Sequence, residues 1–306
     1  MVGKKKDHRT ILKAHTVNDY VRYVGAPVLN QKVAVIHYDE LEHCRHTYVN
    51  YDVYGLFLMD EPLDGITYGN TPVKFTDKDL ICASPGEIGG TNDIGEIVHL
   101  KGYVLLFDPS LLHGTELGRQ MPKYTYFSYG INEALVLSDE QRQTIVSLLE
   151  QIRKELQADE DKEHVNPIVM SYIGLLLEYV NRYYAQQLAT VTQKSTNLLR
   201  QFENLLAMYF QQNMARQFGL PSVKYFAEQL CLSANYFGDL IRQQTGDTAF
   251  HIIQNYTMQR AYSLLSSGKT VGETSEMLGF EYPQHFSRAF KKHFGQLPSQ
   301  VVVKAN

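Results

Sequence analysis

Short hydrophobic stretches that alternate with polar residues fill the first half of the chain. Between residues 32 and 129 this alternation, interrupted by turn-forming pairs, predicts β-strands. The predicted strands are 33–38, 51–59, 73–75, 80–83, 96–107 and 124–129. The turn-forming pairs are Asp64-Gly65, Gly69-Asn70, Pro85-Gly86 and Gly89-Gly90. Many short strands separated by turns indicate a small antiparallel barrel or sandwich, whose interior could hold one small ligand.

The hydrophobic spacing becomes helical after residue 137. Ser138, followed by Asp-Glu, is a helix-start signal, and a second helix follows with Pro167 in its first turn. The apolar stripe of the first helix is Ile145, Leu148, Leu149, Ile152 and Leu156. That of the second is Ile168, Tyr172, Leu175, Leu176, Tyr179 and Tyr183. The pattern leaves two alternatives open, packing within the domain and a dimer interface.

A helix-turn-helix pattern occupies residues 222–246. Ser233 is a natural N-cap for its second helix, and Ala227 lies where two crossed helices must approach closely. The apolar residues of the two helices are Val223, Phe226, Ala227 and Leu230, then Tyr236, Phe237, Leu240 and Ile241.

The same arrangement returns between residues 270 and 295. Gly279 suits a left-handed turn between the two helices. Their inward positions are Val271, Thr274, Ser275 and Leu278, then Phe286, Ala289, Phe290 and Phe294.

A helix of about 20 residues, from 248 to 267, connects the two units. Its predicted inward residues are Phe250, Ile253, Met258, Ala261, Leu264 and Leu265. At 1.5 Å per residue such a helix spans roughly 30 Å, close to the ~34 Å of one DNA turn. Two recognition helices held at its ends could therefore enter successive major grooves on one face of a duplex.

Composition and charge support a two-domain globular protein. The 306 residues exceed one typical small core, and 44% hydrophobic with 20% charged residues is ordinary for a globular chain. Residues 197–306 hold ten Lys or Arg and seven Asp or Glu, a net charge of +3, which leaves −7 for the rest of a chain whose total is −4. A mildly basic C-terminal part fits a nucleic-acid module.

The cysteines and the N-terminus point to the cytoplasm. Cys44, Cys82 and Cys231 are scattered and form no CxxC pair, so neither a disulfide framework nor a zinc knuckle is expected. Three lysines near the start precede no apolar segment, and no apolar run approaches the 18 residues of a membrane span. We expect a cytoplasmic protein with no membrane partner.

The second helix-turn-helix pattern identifies a family. Its residues 279–295 read Gly-Phe-Glu-Tyr-Pro-Gln-His-Phe-Ser-Arg-Ala-Phe-Lys-Lys-His-Phe-Gly, and Pro298-Ser299 follow. On this motif, residues 197–306 resemble the AraC-type DNA-binding domain. Two departures are Ser275, where the family has Ala, and Val301-Val302, where it has Tyr-Arg. The second departure removes an end cap and puts in doubt how the last residues pack.

The resemblance implies a set of DNA-binding residues. They are Asn235, Asp239 and Arg242 in the first recognition helix, and Pro283, Gln284, Ser287, Arg288, Lys291 and Lys292 in the second. Asn and Gln can read adenine, Arg can read guanine, and Asp can accept from cytosine. Lys292 and Arg260 suit phosphate better. Because the first helix carries Gly238 and Asp239, we expect the second helix to contribute more affinity.

The order of elements also resembles sugar-sensing members of this family. It implies a two-domain α+β fold, in which a cupin-like β-barrel or sandwich with two helices precedes an all-α domain of two helix-turn-helix units joined by a long helix. We predict a mobile N-terminal arm at 1–20, a cupin-like effector-sensing and dimerisation domain at 21–186, a linker at 187–196 and the DNA-binding domain at 197–306. The linker prediction rests on a polar, β-branched stretch without helical period.

Histidines and tyrosines in the first half have two interpretations each. The histidines are His37, His43, His46, His99 and His113. They lack the cupin metal pattern, and His43 and His46 would point to opposite faces of a strand, so we expect surface or hydrogen-bonded histidines and no metal or cofactor. The tyrosines are Tyr48, Tyr51, Tyr54, Tyr68, Tyr103, Tyr124, Tyr126 and Tyr129. Tyrosines stack on sugars but also fill barrel cores, and the effector-binding residues stay unassigned.

The function these patterns favour is a sequence-specific, DNA-binding transcription activator and not an enzyme. The expected partners are double-stranded promoter DNA, a small effector such as a sugar or another metabolite, a second copy in a homodimer, and RNA polymerase. One alternative is a regulator without a ligand, controlled by a partner protein or by its abundance. The other is a cupin enzyme fused to a DNA-binding tail, which alone predicts metal in the purified protein and which no catalytic motif supports.

Overall fold

The chain folds into two compact units, residues 1–187 and residues 188–306. The computed structural model describes residues 11–42, 48–61, 66–68, 71–73, 76–90, 99–130, 133–194 and 196–305. The first unit is rich in sheet and the second is helical. The predicted two-domain α+β class is therefore confirmed.

Ten strands in the described part of the first unit form two five-stranded sheets. The strands are β1 (Ile11–Ala14), β2 (Val33–His37), β3 (Tyr48–Tyr51), β4 (Tyr54–Met59), β5 (Ile66–Tyr68), β6 (Thr71–Val73), β7 (Asp79–Ala83), β8 (Glu87–Gly90), β9 (Gly102–Phe107) and β10 (Leu135–Val136). One sheet has the order β1-β3-β8-β5-β6 and the other β10-β7-β4-β9-β2. The pairing of β1 with β3 is parallel, and the other described pairings are antiparallel.

The two sheets share one core, as in a sandwich. Val49 and Tyr51 of the first sheet join Ile36, Val104 and Leu106 of the second in a single buried cluster. Each pair is spaced by two residues because alternate side chains of a strand point to the same face. All six residues of β9 are buried, so both faces of its sheet are covered and its hydrophobic run is continuous.

Among its described residues the first unit contains four α-helices, the last of which continues beyond residue 187. They are α1 (Val17–Tyr23), α2 (Glu116–Gln120), α3 (Asp139–Ala158) and α4 (Pro167–Lys194). Ser138 caps α3 by accepting a hydrogen bond from the Gln141 amide, while the Gln141 side chain accepts from the Ser138 amide. The five predicted apolar residues of α3 are all buried. Both predictions for this helix are confirmed.

The inward face of α4 differs from the predicted stripe. Ile168 and Leu175 are 49% and 46% exposed, whereas Val169, Ile173 and Val180 are buried. Apolar residues occur on more than one side of this helix, so spacing alone could not select the packed face. Leu176 and Tyr183 of the predicted stripe are buried as well, so the face that contacts the core includes part of that stripe.

The predicted N-terminal arm and one predicted strand need correction. Residues 11–20, predicted as part of a mobile arm, form β1 and the start of α1, whose Val17 and Tyr20 are buried. Residues 124–129, predicted as a strand, contain a 3₁₀ turn (Thr125–Ser128) with adjacent Tyr126 and Phe127 both buried. In a strand, neighbouring side chains point to opposite faces and cannot both pack on one of them. In a 3₁₀ turn, two neighbouring side chains can be buried together.

Other predicted strands differ at their ends. The predicted strand 51–59 is broken by a bend at 52–53, and residues 99–101 do not belong to β9. Gly89-Gly90, predicted as a turn, lies in β8, while Pro85-Gly86 does form a turn. The pairs Asp64-Gly65 and Gly69-Asn70, together with His43 and His46, lie outside the described residues.

The second unit is entirely helical where it is described. Its helices are α5 (Thr196–Gln211), α6 (Met214–Phe218), α7 (Val223–Gln229), α8 (Ala234–Thr245), α9 (Ala249–Ser266), α10 (Val271–Met277), α11 (Pro283–Phe294) and α12 (Pro298–Ala305). One buried cluster, which includes Phe202, Phe237, Ile253 and Phe290, joins α5, α8, α9 and α11. The predicted linker 187–196 is not irregular, because α4 continues to Lys194 and α5 begins at Thr196.

No helix in the described part of the chain is long and apolar enough to cross a membrane.

Candidate nucleic-acid interface

The first helix-turn-helix unit consists of α7 and α8. Ser222 caps α7 and Ser233 caps α8, each by accepting a hydrogen bond from the amide three residues later. The turn passes through Cys231, whose φ is +58°, and the Leu232 amide donates to the Ala227 carbonyl at 2.9 Å. Ala227 is completely buried at the helix crossing. The predicted cap and crossing are confirmed.

The second helix-turn-helix consists of α10 and α11. Thr270 and Glu273 form a capping box at the start of α10, and hydrogen bonds from the Thr270 amide and hydroxyl hold the pKa of the Glu273 carboxyl below its usual range. Gly279 takes φ +84° in the turn, as predicted, and Pro283 begins α11. Both recognition helices end at a left-handed glycine, Gly246 or Gly295.

Each recognition helix buries one face and presents the other. The buried faces contain Tyr236, Phe237, Leu240 and Ile241 in α8, and Phe286 and Phe290 in α11. Ala289 and Phe294 pack against the same core and are partly buried. The opposite faces contain the predicted DNA-binding residues.

Those residues form a stripe on each helix. Asn235, Asp239 and Arg242 follow the spacing i, i+4, i+7 on α8, and Gln284, Arg288 and Lys291 follow it on α11. Seven predicted residues are exposed, namely Asn235, Arg242, Pro283, Gln284, Arg288, Lys291 and Lys292. Asp239 and Ser287 are half-buried. DNA contact by each residue stays a prediction.

The two stripes differ in charge. Helix α11 contains Arg288, Lys291 and Lys292 and no acidic residue. Helix α8 contains one cation, Arg242, and one acid, Asp239. Within the described residues none of these four cations forms an ion pair, so their charges are available to an anionic ligand. The Arg260 guanidinium lies over the Phe210 ring, 5.9 Å from its centroid. Its contact with phosphate stays a prediction.

Two residues at the start of the second recognition helix were missed from sequence. Tyr282 is 45% exposed, and its ring centroid lies 5.4 Å from that of exposed His285. They flank Pro283 and Gln284 at the N-terminal end of α11. The signal was their position beside the predicted residues, but neither side chain has an unambiguous base-pairing edge.

Helix α9 separates the two helix-turn-helix motifs. Its 18 residues span about 27 Å at 1.5 Å per residue. Ile253, Met258, Ala261 and Leu265 are buried as predicted, while Phe250 is 64% exposed and that prediction is wrong. The buried stripe contains Ala249 and recurs every four residues, which places Phe250 one position outside it.

The two departures from the family motif have different consequences. Ser275 is buried and its hydroxyl has no hydrogen-bond partner among the described residues. Val301 is 3% exposed and belongs to the core of the second unit. An apolar side chain thus packs where the family's end cap would lie.

A small cavity lies within the described part of the first unit, beside buried tyrosines. Between β7 and α4 lies a cavity of about 20 Å³, room for roughly one water, with Cys82, Tyr126 and Tyr184 in its lining. Tyr124 donates to Glu178 at 2.9 Å, and Tyr126 donates to the Leu177 carbonyl at 3.0 Å. These tyrosines therefore act in packing. Tyr68 has no described side chain.

The described histidines of the first unit form no metal cluster. His37 stacks on Tyr103, with ring centroids 4.1 Å apart, and contacts Asp39 and Glu40. His99 and His113 are exposed. No group of three or more His, Cys, Asp or Glu side chains in the described ranges is arranged to hold a metal ion.

Comparison with known proteins places the second unit in a class. Two helix-turn-helix units joined by one helix define a DNA-binding module, and residues 226–302 match the family model described as a helix-turn-helix domain. With the motif of residues 279–299, this match identifies the module as an AraC-type DNA-binding domain.

Individual relatives are similar over limited lengths. Histidine kinase P4 of Formosa agariphila is 33% identical over 76 residues, 24% of this chain and 6% of that protein. The C-terminal domain of AraT, a response regulator from Geobacillus stearothermophilus, is 26% identical over 36% of this chain and 86% of its own, with a TM-score of 0.32. A transcriptional regulator of Chromobacterium violaceum described as AraC-type is 19% identical over 37% of this chain and 96% of its own, with a TM-score of 0.32. This chain spans a small fraction of the kinase, whose activity is not transferred to it.

Proposed function

We propose that this protein is a sequence-specific DNA-binding transcription regulator. The observation that carries the proposal is the pair of recognition helices on one core, each presenting an i, i+4, i+7 polar stripe. The ~27 Å length of α9 approaches one DNA turn of about 34 Å, so α8 and α11 reach successive major grooves.

The side chains divide the work of recognition by their chemistry. Arg288 reads guanine through its two-pronged guanidinium, and Gln284 and Asn235 read adenine through their amides. Lys291 and Lys292 neutralise phosphates and fix the register of the protein on the duplex. Because α11 has three cations against one on α8, α11 supplies the larger share of the affinity.

We further propose that the protein is a cytoplasmic activator whose first unit binds a small effector, a sugar or another metabolite, between its sheets. The two-sheet architecture of this unit supports the proposal, since the interior of such a fold can hold one small ligand. The effector-binding residues stay unassigned. An effector that binds two states of the protein unequally shifts their populations, and with them DNA binding and contact with RNA polymerase.

The exposed face of α4 supports a homodimer. Ile168 and Leu175 are exposed there, with half-buried Tyr172 and Tyr179 beside them. In an antiparallel pair centred on Leu175, Arg182 of one copy lies opposite the helix start of the other, which follows the acidic segment 159–163. The apolar stripe and the charges therefore both favour a second copy of this chain as the partner that packs on the exposed face of α4.

The dimer is tested by the mass of the protein in solution. Leu175→Glu places a charge at the centre of the stripe, and we expect a monomer by light scattering where the unaltered chain is a dimer. Lys154→Glu on α3 is the matched control and should leave the mass unchanged. A monomeric unaltered chain, or a dimeric Leu175→Glu variant, contradicts this interface.

The DNA-binding function is tested by mapping bound DNA across a genome and titrating one bound fragment at fixed salt. We expect discrete sites near promoters, lost in Arg288→Ala and retained in Lys224→Ala, an exposed residue of α7 outside both stripes. Binding without site preference at any salt would overturn the proposal.

A further inference from the structure

We infer that residues 214–219, the short helix α6 with Gly219, act as a brace that sets the angle between the two recognition helices. The inference rests on the proposed DNA-binding function and names residues outside both recognition helices. In the sequence this brace leads into the first helix-turn-helix unit. In the structure it also contacts the second.

The first contact is between two backbones. Gly219 and Gly279 both have positive φ, +86° and +84°. A Cβ atom placed on Gly279 would lie 2.4 Å from the Ala215 carbonyl oxygen and 2.5 Å from the Gly219 carbonyl carbon. Real Cβ atoms do not approach other atoms within such distances. Only glycine therefore lets the turn of the second helix-turn-helix come this close to the brace.

The second contact is an ion pair between the brace and α10. Arg216 donates from Nε and Nη2 to one Glu276 oxygen, Oε1, at 2.9 and 2.6 Å. Both side chains are largely exposed, so the pair contributes little to folding. The ion pair instead restrains the orientation of α10. Because the planar guanidinium donates two hydrogen bonds, it opposes rotation of α10 about the glycine contact.

The brace is also attached to the first helix-turn-helix, which consists of α7 and α8. The Tyr209 hydroxyl donates to the Gly219 carbonyl at 3.0 Å, and the Tyr209 ring lies 5.0 Å from Tyr225 and 6.1 Å from Phe226 of α7. A continuous path of contacts thus runs from α7 through the brace to α10. Besides α9, this path forms a further connection between the two helix-turn-helix motifs.

Helix α9 and the buried core that it shares with α8 and α11 set the distance between the two recognition helices. The brace adds a direct contact between the turn of the second helix-turn-helix and the segment that leads into α7. Both recognition helices bind the same duplex only if their relative angle matches the groove spacing. The brace therefore acts on whole-site binding and not on either helix alone.

The test separates whole-site from half-site binding. Affinity is measured at fixed salt for a bound fragment and for the same fragment with the half read by α8 scrambled. Glu276→Ala should weaken whole-site binding about two- to fivefold and leave half-site binding unchanged or tighter. Electrostatics alone predicts the opposite for the whole site, because this variant removes a negative charge.

Charge reversal sharpens the test. Arg216→Glu places two acids together and should weaken whole-site binding about tenfold, while Arg216→Glu with Glu276→Arg should restore it to within about twofold. Glu228→Gln on α7 is the matched control for a lost acid and should not weaken binding. Whole-site affinity that is unchanged or higher in Glu276→Ala, or that falls equally for both fragments, overturns the brace.

A readout without DNA keeps the brace testable if the proposed function fails. Spin labels at Gln243 and Lys292, with the native cysteines replaced by serine, report the distance between α8 and α11 in the full chain. We expect a wider distance distribution in Glu276→Ala than in Glu228→Gln. Equal distributions contradict the brace, whereas absence of site-specific binding by the unaltered chain contradicts only the proposed function.

Discussion

The two helix-turn-helix units share one architecture and differ at matched positions. At the helix crossing the first has Ala227 and the second Ser275, and four residues later the turns hold Cys231 and Gly279, both left-handed. The first turn accepts a side chain because Cys231 is exposed, whereas Gly279 touches another backbone. The same local pattern thus serves two different surroundings, and the tertiary contacts decide which substitutions each unit tolerates.

Their recognition helices differ in the same way. Both present an i, i+4, i+7 stripe, but α11 is strongly cationic and α8 is balanced. Repetition of a fold therefore does not imply equal contributions to binding. Substitutions that change one helix-turn-helix at a time test this difference.

The largest effect is expected at the second turn. Gly279→Ala combines a left-handed φ with overlap of the new Cβ on the Ala215 carbonyl and should lower the free energy of unfolding by about 3 kcal/mol. Gly268→Ala is the matched control, since its φ is +86° and nothing lies within 4 Å of the added Cβ. It should lose about 1 kcal/mol. Urea denaturation followed by circular dichroism measures both, and equal losses would remove the argument from backbone contact.

The next effect is expected in DNA affinity. Arg288→Ala should weaken binding to the mapped site by about 1–3 kcal/mol and relax the preference at one base pair. Arg242→Ala should lose less, below about 1 kcal/mol, because the Asp239 carboxylate on the same stripe already repels phosphate. Parallel titrations at one salt concentration compare them. A larger loss for Arg242→Ala would reverse the ranking of the two helices.

A smaller effect, and a gain of stability rather than a loss, is expected at the helix crossing of the second helix-turn-helix. Ser275→Ala removes a buried hydroxyl without a partner among the described residues and should raise the free energy of unfolding by about 1 kcal/mol. It makes the position equal to Ala227. Ser266→Ala, at the exposed end of α9, should change stability by less than about 0.5 kcal/mol. A destabilised Ser275→Ala variant would show that the hydroxyl is satisfied.

The smallest effect is expected at a phosphate-directed cation. Lys292→Ala should weaken binding by a similar factor on all sequences and reduce the slope of log affinity against log salt by about 0.9. Titrations at several salt concentrations, on the mapped site and on a scrambled fragment, measure the slope. A loss confined to the mapped site would assign Lys292 to base reading.

The helix-turn-helix units were predictable because their determinants are local. The cap at Ser233, the left-handed Gly279 and the apolar spacing of α8 and α11 all act within one or two helical turns. The predicted stripes are exposed for the same reason, since a helix that buries one face must present the other. The motif of residues 279–299 added the family.

Long-range packing explains the failures. Residues 11–20 are polar enough to suggest an arm, and only pairing of β1 with β3 and burial of Val17 show otherwise. In α4 the sequence offered two apolar faces and the sheet-rich core selected the one without Ile168 and Leu175. Residues 187–194, without helical period, continue α4 because its helix is already formed before them.

The sequence by itself therefore determined the two-domain class, the positions of both helix-turn-helix units and the chemistry of their recognition helices, because each is written in spacings of three or four residues and in capping residues. The tertiary structure alone decided which face of α4 is exposed, that Arg260 lies on Phe210, and that α6 reaches the turn of the second unit. Those features depend on groups far apart in the chain, such as Arg216 and Glu276, whose meeting no local pattern specifies.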